Sequence, residues 1–221
     1  MHSRILALCG ALLIFVSPVA ANELADSVQA DYDAHLADLW DHFHRNPELS
    51  LVEFETAKRM AAELRAAGFA VTEGVGGTGV VAMLENGTGP LVMMRADMDG
   101  LPVEEKSGLA NASKAKQISP ISGQEVPVMH ACGHDVHITS LVGTARQMAA
   151  RRDDWSGTLM LVVQPAEERG LGAKAMRADN IWQRFGTPDY ALAFHVEAGT
   201  PAGKIEAPEG AAYAGADTVD I

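Results

Sequence analysis

The stretch Met129-His130-Ala131-Cys132-Gly133-His134-Asp135 brings a thiol, two imidazoles and a carboxylate into one short segment. These donor types hold divalent cations such as zinc, manganese and cobalt, and thiolate favours the softer end of that set. Cys132 and His134 are two residues apart, so in an extended turn both side chains can point the same way. Two later segments extend the set: Pro165-Ala166-Glu167-Glu168 follows a strand-like run, and Phe194-His195-Val196 ends another. Cysteine, histidine, glutamate and histidine make a workable ligand shell. If one of the adjacent glutamates coordinates a cation, its neighbour can act as general base on a water whose pKa the cation lowers toward roughly 7. A rival chemistry is a cysteine hydrolase in which Cys132 attacks and His134 or His195 deprotonates it. Paired carboxylates have no necessary place in that triad. A third reading is a buried apolar cysteine, against which His130, His134 and Asp135 speak.

The elements that must position these groups follow from periodicity. Apolar residues at Leu24, Val28, Leu36, Leu39 and Phe43 recur at helical spacing until Pro47 stops the pattern. Ser50 and Glu53 read as a capping box, Phe54, Ala57, Met60, Ala61 and Leu64 as the apolar stripe behind it, and Gly68 as its stop. Strands are expected at 80–84 and 91–94, separated by the turn Asn86-Gly87-Thr88-Gly89. The second leads into Asp97 and Asp99. Residues 104–126 show little periodicity and read as a surface loop beside the His-Cys-His cluster. A helix over 136–150, a buried strand over 159–163, a helix over 173–185 and a strand over 190–194 complete the pattern. Alternating strands and helices predict an α/β layered domain with a mostly parallel sheet flanked by helices. Asp97, Glu167, Glu168 and His195 then all fall at or just beyond strand C-terminal ends, where open α/β sheets bind their ligands.

Composition narrows the function. The chain has 221 residues, is 48% hydrophobic and carries a net charge of −12, which suits one sizeable core and speaks against nucleic acid as a partner. Residues 1–21 have Arg4 as a positive start, an apolar run over 5–16 and Val19-Ala20-Ala21 as a small-residue cleavage site, the pattern of a secretory signal peptide. The run is short of the roughly 20 residues of a membrane span, so no membrane contact is expected after its removal. Cys9 lies inside this leader and leaves Cys132 as the only thiol of an exported, periplasmic or extracellular chain. Metal ligation accounts for an unpaired thiol in an oxidising compartment.

Five segments in order resemble one known family: His44-Arg45-Asn46-Pro47-Glu48-Leu49-Ser50, Arg95-Ala96-Asp97-Met98-Asp99-Gly100-Leu101-Pro102, His130-Ala131-Cys132-Gly133-His134-Asp135, Gln164-Pro165-Ala166-Glu167-Glu168 and Phe194-His195-Val196. The resemblance is to the hippurate hydrolase and auxin-conjugate amidohydrolase branch of the dinuclear aminoacylase and carboxypeptidase metallohydrolases. It implies hydrolysis of an N-acyl amino acid or peptide amide with two divalent ions, whether zinc, manganese, cobalt or nickel. It further implies Cys132, His134, Glu168 and His195 as ligands and Glu167 as general base. Asp97, Asp99 and Asp135 would orient the imidazoles or the water, or serve as turn and cap carboxylates. His130 and His137 stay outside the ligand set, in a hydrogen-bonding or surface role. His44 reads as structural at a helix C-terminus, and His35 and His42 as a solvated helix face. Val136 stands where the pattern commonly has glycine, and Arg169 and Leu171 interrupt a glycine-rich run.

The family continues past the position of Ile221 into a lid or dimerisation domain and returns with one more histidine ligand. The expected organisation is therefore a leader over 1–21, an incomplete catalytic domain over 22–209, and a linker with the start of a lid over 210–221. A homodimer would belong to the full-length form. A vestigial fragment that keeps the fold and part of the metal binding is the alternative to an enzyme. The leader yields a direct expectation: mass spectrometry of the exported protein should find an N-terminus near Asn22, and an intact Met1–Ala21 segment would contradict it.

Overall fold

The computed structural model describes residues 18–207 and 209–210, so the apolar run of the leader and most of the 210–221 linker lie outside the described residues. Helix α1 (Pro18–Asp31), a π-helical turn (Tyr32–Leu36) and α2 (Ala37–Arg45) form one helical run that ends just before Pro47. Leu36, Leu39 and Phe43 are its buried contacts, on the stripe that the spacing predicts. His42 is exposed, but His35 is not a free solvated residue: its Nε2 lies 2.8 Å from Glu63 Oε2. Among the described residues no helix is long and apolar enough to cross a membrane.

Helix α3 (Phe54–Ala66) starts where expected, but by another device. The capping box is not formed. Ser50 Oγ donates instead to Asp99 Oδ2 at 2.5 Å, and Glu53 is fully buried with its carboxylate turned to other donors. The free amides of the first turn are met by Glu48, whose oxygens accept from Glu55 N at 3.3 Å and Thr56 N at 2.7 Å. A buried carboxylate is drawn to the donors it can reach inside the protein, which overrides the local sequence signature.

Strands β1 (Ala70–Val75), β2 (Gly79–Asn86), β3 (Leu91–Asp97), β6 (Gly157–Gln164) and β7 (Tyr190–Ala193) form a five-stranded sheet in the order β1-β2-β6-β3-β7. β2 pairs antiparallel with both β1 and β6, while β3 pairs parallel with β6 and β7. Only β2 opposes the common direction, so the sheet is mixed and mostly parallel. β1 escapes the sequence pattern because it is an edge strand with mostly exposed side chains and a register shift between Glu73 and Val75.

A short hairpin, β4 (Lys116–Ile118) with β5 (Glu125–Pro127), stands in the segment read as an unstructured loop. Strands of three residues are too short to show a period. It is held down by Ser113 Oγ donating to Val128 O and by Leu49 N donating to Gln117 Oε1. The expected helix over 173–185 is divided into α5 (Gly172–Ala178) and α6 (Ile181–Phe185), with Asn180 at φ 58° between them.

Alternation along the strands sorts two cores. Leu159, Leu161 and Val163 of β6, with Val80, Ala82 and Leu84 of β2, face α2, α3 and α4 (His134–Ala150). Met160 and Val162 face the opposite side with Val81, Met176 and Ile181. β6 is therefore covered on both faces, whereas all four residues of β7 are exposed. Leu161→Ala should cost about 2–5 kcal/mol of unfolding free energy by urea titration, and Ile121→Ser, at an exposed hairpin position, within about 0.5 kcal/mol. Equal losses at the two sites would contradict this placement.

Candidate metal centre

The C-terminal ends of the parallel strands converge. Asp97 closes β3, Glu167 and Glu168 follow β6, and His195 follows β7. Opposite them lies the turn that leads into α4. Leu101 and Met129 exchange backbone hydrogen bonds at 2.9 and 3.0 Å, anchoring the segment before Cys132. Gly133 then takes φ 78°, and a Cβ there would stand 2.3 Å from Val196 Cγ2. Only glycine fits both the left-handed backbone and the close approach. That turn separates Cys132 from His134, the first residue of α4, which is fully buried.

His134 is shared by two donor groups. Donor atoms of Cys132, His134 and His195 all lie within 4.8 Å of one another, as do those of His134, Glu167 and Glu168. Cys132 Sγ is 3.4 Å from His195 Nε2, and His134 Nε2 is 3.7 Å from Glu168 Oε1 and 3.8 Å from Glu167 Oε2. His195 Nδ1 sits 2.6 Å from Val196 O, a bond only the Nδ1–H tautomer can make, so the Nε2 lone pair faces the thiol. The structure thus brings together Cys132, His134, Glu167, Glu168 and His195.

The three aspartates divide. Asp97 Oδ1 accepts from His137 Nδ1 at 2.7 Å, and its Oδ2 lies 2.6 Å from Arg95 Nη1 and 3.6 Å from His134 Nε2. Asp99 stands 3.4 Å from His134 Nδ1 and accepts from Glu167 N and Glu168 N at 3.0 and 3.1 Å. Asp135 serves a different imidazole: its Oδ2 is 2.8 Å from His44 Nδ1, whose other nitrogen is 3.4 Å from Glu105 Oε1. His44 is therefore a bridge between two carboxylates rather than a helix-dipole partner alone.

Negative charge dominates the centre. Burial, then Glu168, Glu167 and Asp97, push the Cys132 thiol up to about 11. Burial raises Glu168, with Asp99 and Glu167 adding to it against the pull of His134. Burial alone would raise Asp97 too, but the His137 hydrogen bond and nearby His134 and Arg95 outweigh it and bring it to about 2. His134 is raised because Asp99 and Asp97 outweigh the burial that opposes its charge.

The donor set fits a cation on the structure's own terms. Both ring nitrogens of His134 and Glu168 Oε1 are buried without a hydrogen-bond partner. Such groups are costly to bury unpaired, and a divalent ion would satisfy soft and hard donors at once. A cation would also reverse the thiol's preference by favouring its deprotonated form.

Residues 93–211 match the family described as Peptidase family M20/M25/M40. The chain belongs to this family. Thermostable carboxypeptidase 2 of Saccharolobus solfataricus is 40% identical over 182 residues, which cover 80% of this chain and 43% of that relative. The hippurate hydrolase of Campylobacter jejuni is 39% identical over 179 residues, again 80% of this chain and 43% of the relative. The crystal structure of the Bacillus subtilis YXEP protein, described as a dinuclear metal binding peptidase from the M20 family, superposes with a TM-score of 0.67 at 31% identity and covers 78% of this chain and 45% of that one. The chain thus spans less than half the length of these M20 relatives.

Three further groups surround the M20 centre: His137 and His130, expected in a hydrogen-bonding or surface role, and Arg95, which the sequence singles out only as part of a motif. His137 is fully buried, and its Nε2 accepts from Val196 N at 3.0 Å while Nδ1 donates to Asp97. Its spacing of three from His134 places both on one helix face, a signal that was available. Arg95, two residues before Asp97 on β3, likewise shares its face and donates through Nε to Gln164 Oε1 at 2.9 Å. His130 is buried with both nitrogens unpartnered, and burial pulls it down to about 4.

The thiol separates metal chemistry from cysteine catalysis. A nucleophilic cysteine needs a lowered pKa, whereas Cys132 is raised. Alkylation of the metal-free protein by iodoacetamide should be slow at pH 7 and keep rising to about pH 11. A rate that has already levelled off near pH 7 would restore the cysteine-hydrolase reading.

Proposed function

We propose that the protein is a metal-dependent amidohydrolase that cleaves the amide bond of N-acyl amino acids, with Cys132, His134, Glu168 and His195 as ligands and Glu167 as general base. The observation that carries this reading is the sharing of buried His134 between a cysteine-histidine group and a glutamate pair. Donors gathered on both sides of one buried imidazole suit two neighbouring ions, of which His134, with a single lone pair when neutral, would hold one. The names of the relatives, hippurate hydrolase among them, support an amide substrate, and the carboxypeptidase relative keeps peptides in the same class. In this reading residues 22–209 belong to a catalytic domain, and the mature protein acts outside the cytoplasm.

The two glutamates differ as their roles require. The Glu168 side chain is 16% exposed and holds an unpartnered buried oxygen, which suits a ligand. The Glu167 side chain is 38% exposed and can meet an incoming substrate and its water. Bound divalent ions would polarise the scissile carbonyl and acidify the attacking water. Glu167 takes the water proton and returns it to the leaving amine nitrogen. Asp97 keeps His137 in one tautomer, and His137 in turn holds the backbone beside His195.

In the full-length protein, Glu167→Gln should lower kcat by about 10²–10⁴-fold and leave metal per chain near the wild-type value. Glu168→Gln should lower both. Hydrolysis of an N-acyl amino acid panel together with elemental analysis reads the two effects, and equal metal loss in both variants would refute the division of roles.

A further inference from the structure

Adjacent glutamates can bring both carboxylates to one imidazole, as Glu167 and Glu168 do at His134, only if the backbone turns at the pair, and the turn here is enforced from far upstream. Ala166, the residue before the pair, has φ 45°, a left-handed conformation that alanine seldom occupies. Its amide donates at 2.7 Å to Glu53 Oε1. The same oxygen accepts from Leu51 N at 3.0 Å, and Leu51 is itself left-handed at φ 76°. Glu53 Oε2 accepts from Thr78 Oγ1 at 2.6 Å, which fixes the far end of the carboxylate. The next two amides, those of Glu167 and Glu168, donate to the two oxygens of Asp99. Three consecutive amides therefore face buried carboxylates, the concave arrangement that successive backbone N–H groups form around an anion. Asp99 lies beside His134, but Glu53 touches none of the proposed ligands. Its whole connection to the centre runs through the Ala166 amide.

We propose that Glu53 is a positioning residue that holds Ala166 in its left-handed conformation and so sets the turn from which the carboxylates of Glu167 and Glu168 both reach His134. This rests on the reading of Glu167 as base and Glu168 as ligand. An isolated buried carboxylate is expensive, and three donors with no cation beside them show what it is used for. Leu51, Thr78 and Ala166 come from three different segments, so one side chain joins the entry to α3, the loop before β2 and the glutamate pair.

The test uses the full-length protein with Glu53→Met, which keeps the core filled and removes both acceptors, and with Glu53→Gln. Glutamine retains an oxygen for the two amides, and its NH₂ can donate to the Thr78 hydroxyl. Glu53→Met should lower kcat on the order of 10²-fold, as an ångström-scale misplacement of a catalytic group does, with KM little changed. Glu53→Gln should keep most of the activity. The decisive arm adds glycine, which takes positive φ without penalty. Ala166→Gly in the Glu53→Met background should recover at least about a tenth of the lost kcat. Leu51→Gly, which relieves the same strain away from the pair, should raise Tm and leave kcat where it was. Recovery by both glycines alike, by neither, or full activity in Glu53→Met itself would overturn the proposal. If Glu53→Met does not fold, Thr78→Val, which frees the Oε2 end alone, carries the same comparison. A wild-type protein that binds metal without cleaving N-acyl amino acids would sink the functional reading instead. The glycine comparison then reads cobalt(II) absorption, which follows the placement of Glu168 independently of turnover.

Discussion

An excess of buried negative charge at the ends of parallel strands is the constraint on which the rest of this structure depends. Asp97 and Asp99 are almost wholly buried and Glu168 is largely so, all within reach of the fully buried His134. Carboxylates brought this close cannot all remain ionised without positive charge or donors to meet them. The protein supplies donors for some of the oxygens: the Arg95 guanidinium, the Ser50 hydroxyl, His137 and the amides of Glu167 and Glu168. The oxygens left over are those facing the cysteine and histidines. A cation placed among them would complete the arrangement as an electrostatic object.

Much of the first quarter of the chain exists to make that charge tolerable. Glu48 accepts the first amides of α3, Ser50 donates to Asp99, and His44 stands between Asp135 and Glu105. None of these contacts touches the proposed ligands directly. They fix the backbone that carries the ligands, and a metal site loosely held by its surroundings loses affinity and activity. The helical run and α3 thus pack the sheet and, through His44 and the segment between them, also brace the loops at its end.

The sequence made legible what depends on composition and on period. Cys132, His134, Glu167, Glu168 and His195 could be named because their types are rare together, because the last three follow strand-like runs, and because five segments in order resemble one family. The long elements could be placed because β6 and α4 repeat their apolar residues over enough length to show a period. What stayed hidden depends on partners distant in sequence. Glu53 looked like a cap because Ser50 stands three residues before it, and nothing local announces an amide at Ala166. His137 looked optional because its two partners, Asp97 at the end of β3 and Val196 beyond β7, are distant in sequence. β1 and the β4–β5 hairpin are short, largely exposed segments, and exposure removes the alternation from which strands are read.

β7 is the least covered strand of the sheet, with Tyr190 65% and Leu192 55% exposed, yet it leads directly to His195. Strands with little buried surface open locally at low free energy, well before the body of the domain unfolds. Among the described residues Val196 N is held through His137 and the ring of His195 rests on Cys132, so an opening of β7 would carry His195 with it. With ions held as proposed, occupancy of the site and order in β7 would be one equilibrium seen from two ends. An ion bound there would have its affinity drawn down by the work of keeping β7 in place, and would return the same amount as order in that strand.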